Sequence, residues 1–305
     1  MAQAQMPKRG WLRTESQREA LAGYLFILPT FIGYTVFIIG PILAAIGFSL
    51  TSYDILSPPE FNGIQNYKDL LTDTRLHIVY WNTIYFTLVA VTLNVGIGLL
   101  LAVLINRHMP AFLRYIFRTA YFFPVLVALA YCSIVWQYLY QKDTGIINYY
   151  LSYFHIAPTP WLSSPKWVMP SIIAMDVWKN TGFAMLVFLA GLQGISQDYY
   201  ESAQLDGANR WQLFRYITLP LITPTLFFNV IIYMIGALQV FDSIIVLTQG
   251  GPGDASRSLV MYIYENAFQL FHMGYASAMA ITLFIVIMLL TLVQFGVGQR
   301  WVHYE

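Results

Sequence analysis

The chain has 305 residues, of which 58% are hydrophobic and only 10% charged, and its net charge is +1. Soluble domains carry about 25% charged residues, so this composition excludes an ordinary soluble fold and points to a bilayer. The near-zero charge leaves no footprint for a nucleic-acid partner, and a single cysteine excludes a disulfide within the chain. That cysteine, Cys132, lies in an apolar run and reads as a small core residue. His77, His108, His155, His272 and His303 are scattered without the helical pairing of a metal site, so no metal ligand set is expected.

Residues 1–20 form a basic tail with Lys8, Arg9, Arg13 and Arg18. The apolar run from Leu21 to Leu50 follows. It is too long for a secretory leader and lacks a small-residue cleavage pattern, so it is expected to stay as a first span. A kink is expected at Gly40-Pro41. A span needs roughly 20 apolar residues, and five more runs qualify: Trp81 to Ile105, Ala120 to Tyr140, Val168 to Gly194, Leu219 to Leu247 and Gly274 to Gln299. The runs are continuous and not alternating, which favours helices over a barrel. The expectation is an all-α, polytopic membrane protein with six transmembrane helices. It comprises one membrane domain over 21–299 and a short tail over 300–305.

Basic residues orient the bundle. The N-terminal tail, the loop with Arg107, Arg114 and Arg118, and the end at Arg300 fall on one side. Lys68 and Arg75 on the other side are matched by Asp54, Glu60, Asp69 and Asp73. Both termini are therefore expected in the cytoplasm. Two further loops carry turn formers: Ser57-Pro58-Pro59 and Phe61-Asn62-Gly63 in one, and Pro158, Pro160 and Pro165 in the other.

The segment 196–220 joins the fourth and fifth runs on the cytoplasmic side. Ser196 or Asp198 can cap a helix, and Glu201 suits the positive end of its dipole. Gly207 offers a backbone position free of a side chain, where two short helices can meet. Ala208, Trp211, Leu213, Phe214 and Ile217 give the second helix an apolar face, and Leu219-Pro220 starts the fifth span. On physical grounds alone this is an amphipathic connector that could dock at the membrane surface or serve as an ordinary loop.

The same segment resembles the EAA loop of bacterial ABC importer permeases in Glu201-Ser202-Ala203, Asp206-Gly207-Ala208 and Ile217-Thr218-Leu219-Pro220. Ser202 replaces an alanine, and Ser196 stands where many relatives have proline. Downstream, Leu247-Thr248-Gln249-Gly250-Gly251-Pro252-Gly253, then Leu259 to Tyr264 and Ala267-Phe268, is similar to the segment after the fifth span of carbohydrate-type permeases. Gly63-Ile64-Gln65-Asn66-Tyr67 adds to the likeness, which covers nearly the whole chain beyond residue 20.

The resemblance implies a type I ABC importer permease fold in a bacterial or archaeal inner membrane. Its partners would be a second permease forming a heterodimer, two ATPase subunits holding ATP and Mg, and an extracytoplasmic sugar-binding protein. Glu201, Ser202, Ala203, Asp206, Gly207, Ala208, Arg210, Leu219 and Pro220 would couple to the ATPase. The loops 51–80 and 248–275 would meet the binding protein. The chain contains no Gly-Lys dipeptide and hence no phosphate-binding P-loop. Any ATP would be bound by another chain, and no cofactor is expected in this one.

Charged groups within spans are costly and mark cavities or partners. Asp176, Lys179, Asn180 and Phe183 recur at helical spacing on the fourth run. An Asp176–Lys179 ion pair and a substrate site are both open readings of that face. Similarity to the maltose-type permease implies substrate-pathway positions at Asp176, Asn180 and Phe183, at Tyr233, Gly236 and Ala237 on the fifth run, and at Tyr121 and Val125 on the third. Gln239 and Asp242 are further candidates. Carboxylates and amides suit sugar hydroxyls, and aromatic faces suit their C–H surfaces. The cargo implied is a di- or oligosaccharide or polyol glycoside, with glycerol 3-phosphate or a glycerophosphodiester as the alternative. An ion-coupled secondary transporter using Asp176 and Asp242 is the reading of another class, though no inverted repeat is visible. No nucleophile–base constellation suggests an enzyme.

Overall fold

The computed structural model describes residues 15–107, 109–300 and 302. Lys8, Arg9, Arg13, His108 and His303, with most of both expected tails, lie outside the described residues. Fifteen α-helices, three π-helical turns and one small strand pair make up the described fold.

Helix α1 (Glu15–Tyr34) passes through a π-helical turn at Thr35–Ile39 into α2 (Gly40–Ser49). The distortion stands immediately before Gly40-Pro41, because Pro41 has no N–H to return to the preceding turn. The strands β1 (Thr51–Ser52) and β2 (Glu60–Phe61) pair antiparallel, with Thr51 opposite Phe61. Helix α3 (Gln65–Thr72) follows, and its Asn66 amide holds the carbonyls of Ser49 and Thr51.

Helix α4 (Thr74–Asn106) starts earlier than its apolar run because Asp73 caps it, accepting from the N–H groups of Arg75 and Leu76. Helix α5 (Ala111–Leu126) leads to α6 (Leu129–Leu139), then the short α7 (Ile146–Ser152) and α8 (Val168–Gly194). Helices α4 and α8 run parallel. Phe86 shares a core cluster with Val168 and Ile172, and Ile105 shares another with Leu192. Between them, a Cβ on Gly98 would overlap Ala184. In lipid, such close backbone approach replaces hydrophobic driving force as the source of helix pairing.

Helices α9 (Gln197–Leu205), α10 (Arg210–Leu213) and α11 (Leu219–Leu221) form the connector, with a π-helical turn at Phe214–Thr218. They are followed by α12 (Thr223–Leu238), α13 (Asp242–Leu247), α14 (Leu259–Tyr264) and α15 (Met273–Gly298).

Among the described residues, four helices are long and apolar enough to cross a bilayer: Gln17–Ser49, Thr74–Asn106, Val168–Gly194 and Met273–Gly298. The other two expected spans are not straight. The run 120–140 is divided between α5 and α6, which meet at 99°. Val127 and Ala128 are extended there, with ψ of 135° and 138°. The run 219–247 is also divided. The helical stretch Arg210–Leu221 meets α12 at 63°, and the chain breaks again at Gln239–Phe241 before α13. The fifth span therefore opens at Thr223 with Pro224 in its first turn, and Leu219-Pro220 belongs to the preceding piece.

Candidate functional site

A cavity of about 510 Å³ lies between the middle turns of α4, α8 and α12, with Val125 and Leu129 from the α5–α6 bend closing one side. Its polar wall is built on α8. Asp176 and Asn180 are one turn apart, and Asn180 Nδ2 donates to Asp176 Oδ1 at 2.8 Å. The second carboxylate oxygen accepts from Asn94 Nδ2 of α4 at 3.0 Å, and Thr181 Oγ1 donates to Asn94 Oδ1 at 3.1 Å. Both oxygens of Asp176 are thus held by amide donors, so the carboxylate sits in one fixed place. Buried polar groups persist only when satisfied in this way.

Lys179 does not pair with Asp176. Its Nζ reaches α5 and donates to the carbonyl of Val125 at 3.3 Å. That carbonyl lies in the last turn of α5, where the helix leaves its acceptors without partners and presents the negative end of its dipole. The buried lysine therefore stabilises the bend between α5 and α6 and does not line the cavity.

The apolar wall comprises Phe86 and Ala90 of α4, Phe183 of α8, and Ile232, Gly236 and Ala237 of α12. Tyr233 lies beside Phe183, ring centroids 6.4 Å apart. Gln239 and Asp242 line the mouth. Nine positions singled out from the sequence are thus brought together: Val125, Asp176, Asn180, Phe183, Tyr233, Gly236 and Ala237, with the further candidates Gln239 and Asp242. Tyr121 is not among the lining residues. Its ring is exposed, and its backbone carbonyl packs against Gly182, where no Cβ would fit. Asn94 and Phe86 were not anticipated. An asparagine in the middle of the uncharged Trp81–Ile105 run was the signal for the first.

The connector at the far end of α8 is built from local turn chemistry. Ser196 caps α9 by accepting from Asp198 N–H. Gly207 has φ of +82° and terminates α9. Its N–H donates to the carbonyl of Gln204, and Ala208 N–H donates to the carbonyl of Ala203. This is the paired 5→2 and 6→1 pattern of a Schellman C-cap, which calls for glycine at this position. Asn209 then caps α10 in a full capping box with Gln212. Tyr200 Oη and Thr218 Oγ1 tie the two pieces together at 3.0 Å.

The result leaves Glu201, Ser202, Asp206 and Arg210 exposed, with Leu205, Trp211 and Tyr216 beside them. Ala203, Asp206, Gly207 and Ala208 share a small cleft of about 230 Å³ with Gln212, Leu213, Tyr216 and Ile217. Leu219 and Pro220 are half-buried at the approach to the bundle.

The opposite end of the bundle carries the four ion pairs found among the described residues, in one network. Arg75 binds Asp254 through two bonds of 2.8 and 3.0 Å and reaches Glu265 at 3.2 Å. Arg257 also bridges Asp254 and Glu265. Asn82 holds the carbonyls of Asp254 and Arg257. Asp73 accepts from Tyr262 and Tyr275 at 2.9 and 2.7 Å. The hydrogen bond from Arg75 holds the Asp254 carboxyl below the usual range, against the effect of burial. Burial alone would raise Asp73, but bonds from Tyr275, Leu76 N–H, Tyr262 and Arg75 N–H outweigh it and lower it. The glycine-rich turn and the aromatic stretch after it are therefore clamped, with Ser258, Leu259 and Tyr262 buried.

Residues 94–303 match the model of the binding-protein-dependent transport system inner membrane component family. A probable ABC transporter permease, YesP of Bacillus subtilis, is 36% identical over 297 residues, covering 95% of this chain and 94% of its own. The chain belongs to this family. The trehalose/maltose transport system permease protein MalF of Thermococcus litoralis is 37% identical over 284 residues, 92% of this chain and 95% of that one. The solved structure of a bacterial ABC transporter that imports alginate has a chain superimposing with a TM-score of 0.84 at 26% identity, covering 94% of this chain and 98% of that one. Membership accounts for the fold: an ABC importer permease, a transmembrane subunit whose apolar helices suit a multi-pass protein of the inner membrane.

Proposed function

We propose that the chain is one permease of a sugar importer, that the cavity on α8 is its half of the saccharide path, and that α9–α10 couples it to a separate ATPase. The observation that carries the cargo is the composition of the cavity wall. The fixed Asp176 carboxylate and the amides of Asn94, Asn180 and Gln239 share the cavity with aromatic rings, and no cationic side chain is among the lining residues. Sugar hydroxyls are matched by carboxylate and amide groups, and C–H faces by Phe86, Phe183 and Tyr233. An anion would meet Asp176 and Asp242 with no lysine or arginine among the lining residues to bind it, so a phosphate cargo is disfavoured. Relatives named for trehalose/maltose, arabinooligosaccharide and lactose transport support the same reading.

The energy source would be ATP and Mg in two copies of the ATPase, docked against exposed Leu205, Trp211 and Tyr216 beside Glu201 and Arg210. A second permease would complete the path in a heterodimer. The clamped end would face an extracytoplasmic binding protein. An acid-lined cleft there, formed by Asp54, Glu60 and Asp69 with His272, offers it a polar surface. A related alginate transporter has been solved with its saccharide-bound periplasmic protein, which supports a partner on that side.

The test is uptake of maltose, trehalose and lactose by the complete importer in proteoliposomes. Asp176→Ala should raise the half-saturating concentration by about tenfold or more, the worth of a hydrogen bond to a charged group, while the ATPase still copurifies. Unchanged sugar dependence would remove Asp176 from the path, and no response to any saccharide would sink the cargo assignment.

A further inference from the structure

Tyr233 stands apart from the other cavity residues in what its hydroxyl binds. Its Oη donates to the carbonyl of Asn180 and accepts from Ala184 N–H at 3.1 Å. In a regular α-helix that carbonyl and that N–H are each other's partners. A side chain of α12 thus bonds both members of one backbone pair of α8, which is an unbroken α-helix over Val168–Gly194. The same turn of α8 is gripped from another side, because Gly182 packs on the backbone of Tyr121 so closely that a Cβ would overlap its carbonyl.

The location gives this arrangement its meaning. Asn180, Phe183 and Tyr233 all line the cavity. Beyond Ala184, helix α8 runs on to Gly194, and Ser196 caps α9 directly after it. At 1.5 Å per residue the inserted hydroxyl lies only about 15 Å from the end of α8.

We propose that Tyr233 is a positioning residue that pins α8 through its backbone when the cavity is empty and releases it when a saccharide hydroxyl takes the phenol. A phenol has one donor and a limited acceptor capacity, and both functions are engaged in α8. A sugar hydroxyl that displaces either bond frees the Asn180 carbonyl and the Ala184 N–H to join each other, so no backbone group is left unsatisfied. The tie between α12 and that turn of α8 is then lost, and the far end of α8 shifts with α9 attached. The cavity thereby reports its occupancy to the connector along one helix. This inference rests on the saccharide reading above and adds how the saccharide is sensed.

The experiment uses the complete importer in lipid nanodiscs, with maltose, trehalose and lactose each presented through the binding protein. ATP hydrolysis is measured against sugar concentration for the wild type and Tyr233→Phe. The pin predicts that Tyr233→Phe loses most of the sugar-dependent increment at saturation, about fivefold or more, while the half-saturating concentration changes less than about threefold. A variant with full stimulation at a raised half-saturating concentration would make Tyr233 a contact residue only and overturn the pin. Hydrogen exchange on the wild-type complex provides a readout independent of any substitution. Protection of the Ala184 amide should change when the stimulating sugar is added, and an unchanged amide overturns the release step. If no saccharide stimulates the wild type, the cargo reading fails and the pin with it. If saccharides stimulate wild type and Tyr233→Phe alike, only the pin fails.

Discussion

The two ends of the bundle are held by different kinds of bonds. At the connector, the Ser196 cap, the Schellman pattern at Gly207 and the Asn209 capping box join residues two to five apart in sequence. At the clamped end, Arg75 binds Asp254 across 179 residues and Glu265 across 190, and Tyr275 reaches Asp73 across 202. A locally bonded element keeps its shape while its position relative to the bundle changes. An element tied across the whole chain can move only with the helices to which it is tied. The connector is therefore suited to transmit displacement, and the clamp to hold the start of α4 against the segment 254–265.

The sharpest way to break this contrast is at Gly207. Proline fixes φ near −65° and has no N–H to give to Gln204, so Gly207→Pro should abolish uptake while the chain still inserts with its other helices intact. Gly207→Ala meets open space around its Cβ and carries only the cost of a positive φ, about 1–2 kcal/mol. It should reduce ATP-coupled uptake partially. Near-normal uptake by the proline variant at equal expression would show that the shape of the connector does not matter.

The clamp should respond in stability more than in coupling. Arg257→Ala strips partners from Asp254 and Glu265, whose side chains are 21% and 17% exposed. The expected loss is about 1.5–3 kcal/mol, read as faster proteolysis within 248–270. Uptake per folded complex should change little. Resistance equal to wild type would remove the network from the list of what holds that end.

The smallest effect is that of acid. Asp73 and Asp254 both have carboxyl groups lowered from the usual 3.8 by their folded partners. Their stabilising contribution is complete above that value and is lost as pH falls through the lower folded values. Exchange protection of 254–265 should stay flat between pH 7 and 5 and decline only below about pH 4. A decline centred near neutrality would point to another group.

The same contrast governs what was legible in the sequence. Helix α8 occupies the residues expected of the fourth run, and α15 lies within one residue of the sixth, because an unbroken apolar run is a local signal. The connector's caps are also local, and the glycine was read correctly as a break, although Asn209 was passed over. The two divided spans were not legible. The α5–α6 bend depends on Lys179 reaching Val125 from 54 residues away. The break at Gln239–Phe241 is accompanied by Ser258 donating to the Val240 carbonyl across 18 residues. Asp176 announced itself as a charge in an apolar run. Its partner Asn94 did not, because an uncharged amide in a long helix matters only once the facing helix is known. The Asp176–Lys179 spacing suggested an ion pair, but in the fold Asp176 is held by Asn94 and Asn180 while Lys179 donates to the Val125 carbonyl.

Helix α1 stands at the other extreme from the close-packed glycines. Tyr24, Phe26, Phe31 and Phe37 along the first span are exposed, Phe26 by 87%, and no residue of its most apolar stretch is buried within the chain. Leucine, isoleucine, valine and phenylalanine are nearly equivalent to a lipid tail, so that stretch is constrained in length and greasiness but hardly in spelling. Gly98, Gly182 and Gly274 have no such latitude, since the smallest added side chain would strike a neighbour. A saturation-mutagenesis map of this protein should therefore be strongly uneven, permissive along most of residues 21–39 and intolerant at three hydrogen atoms.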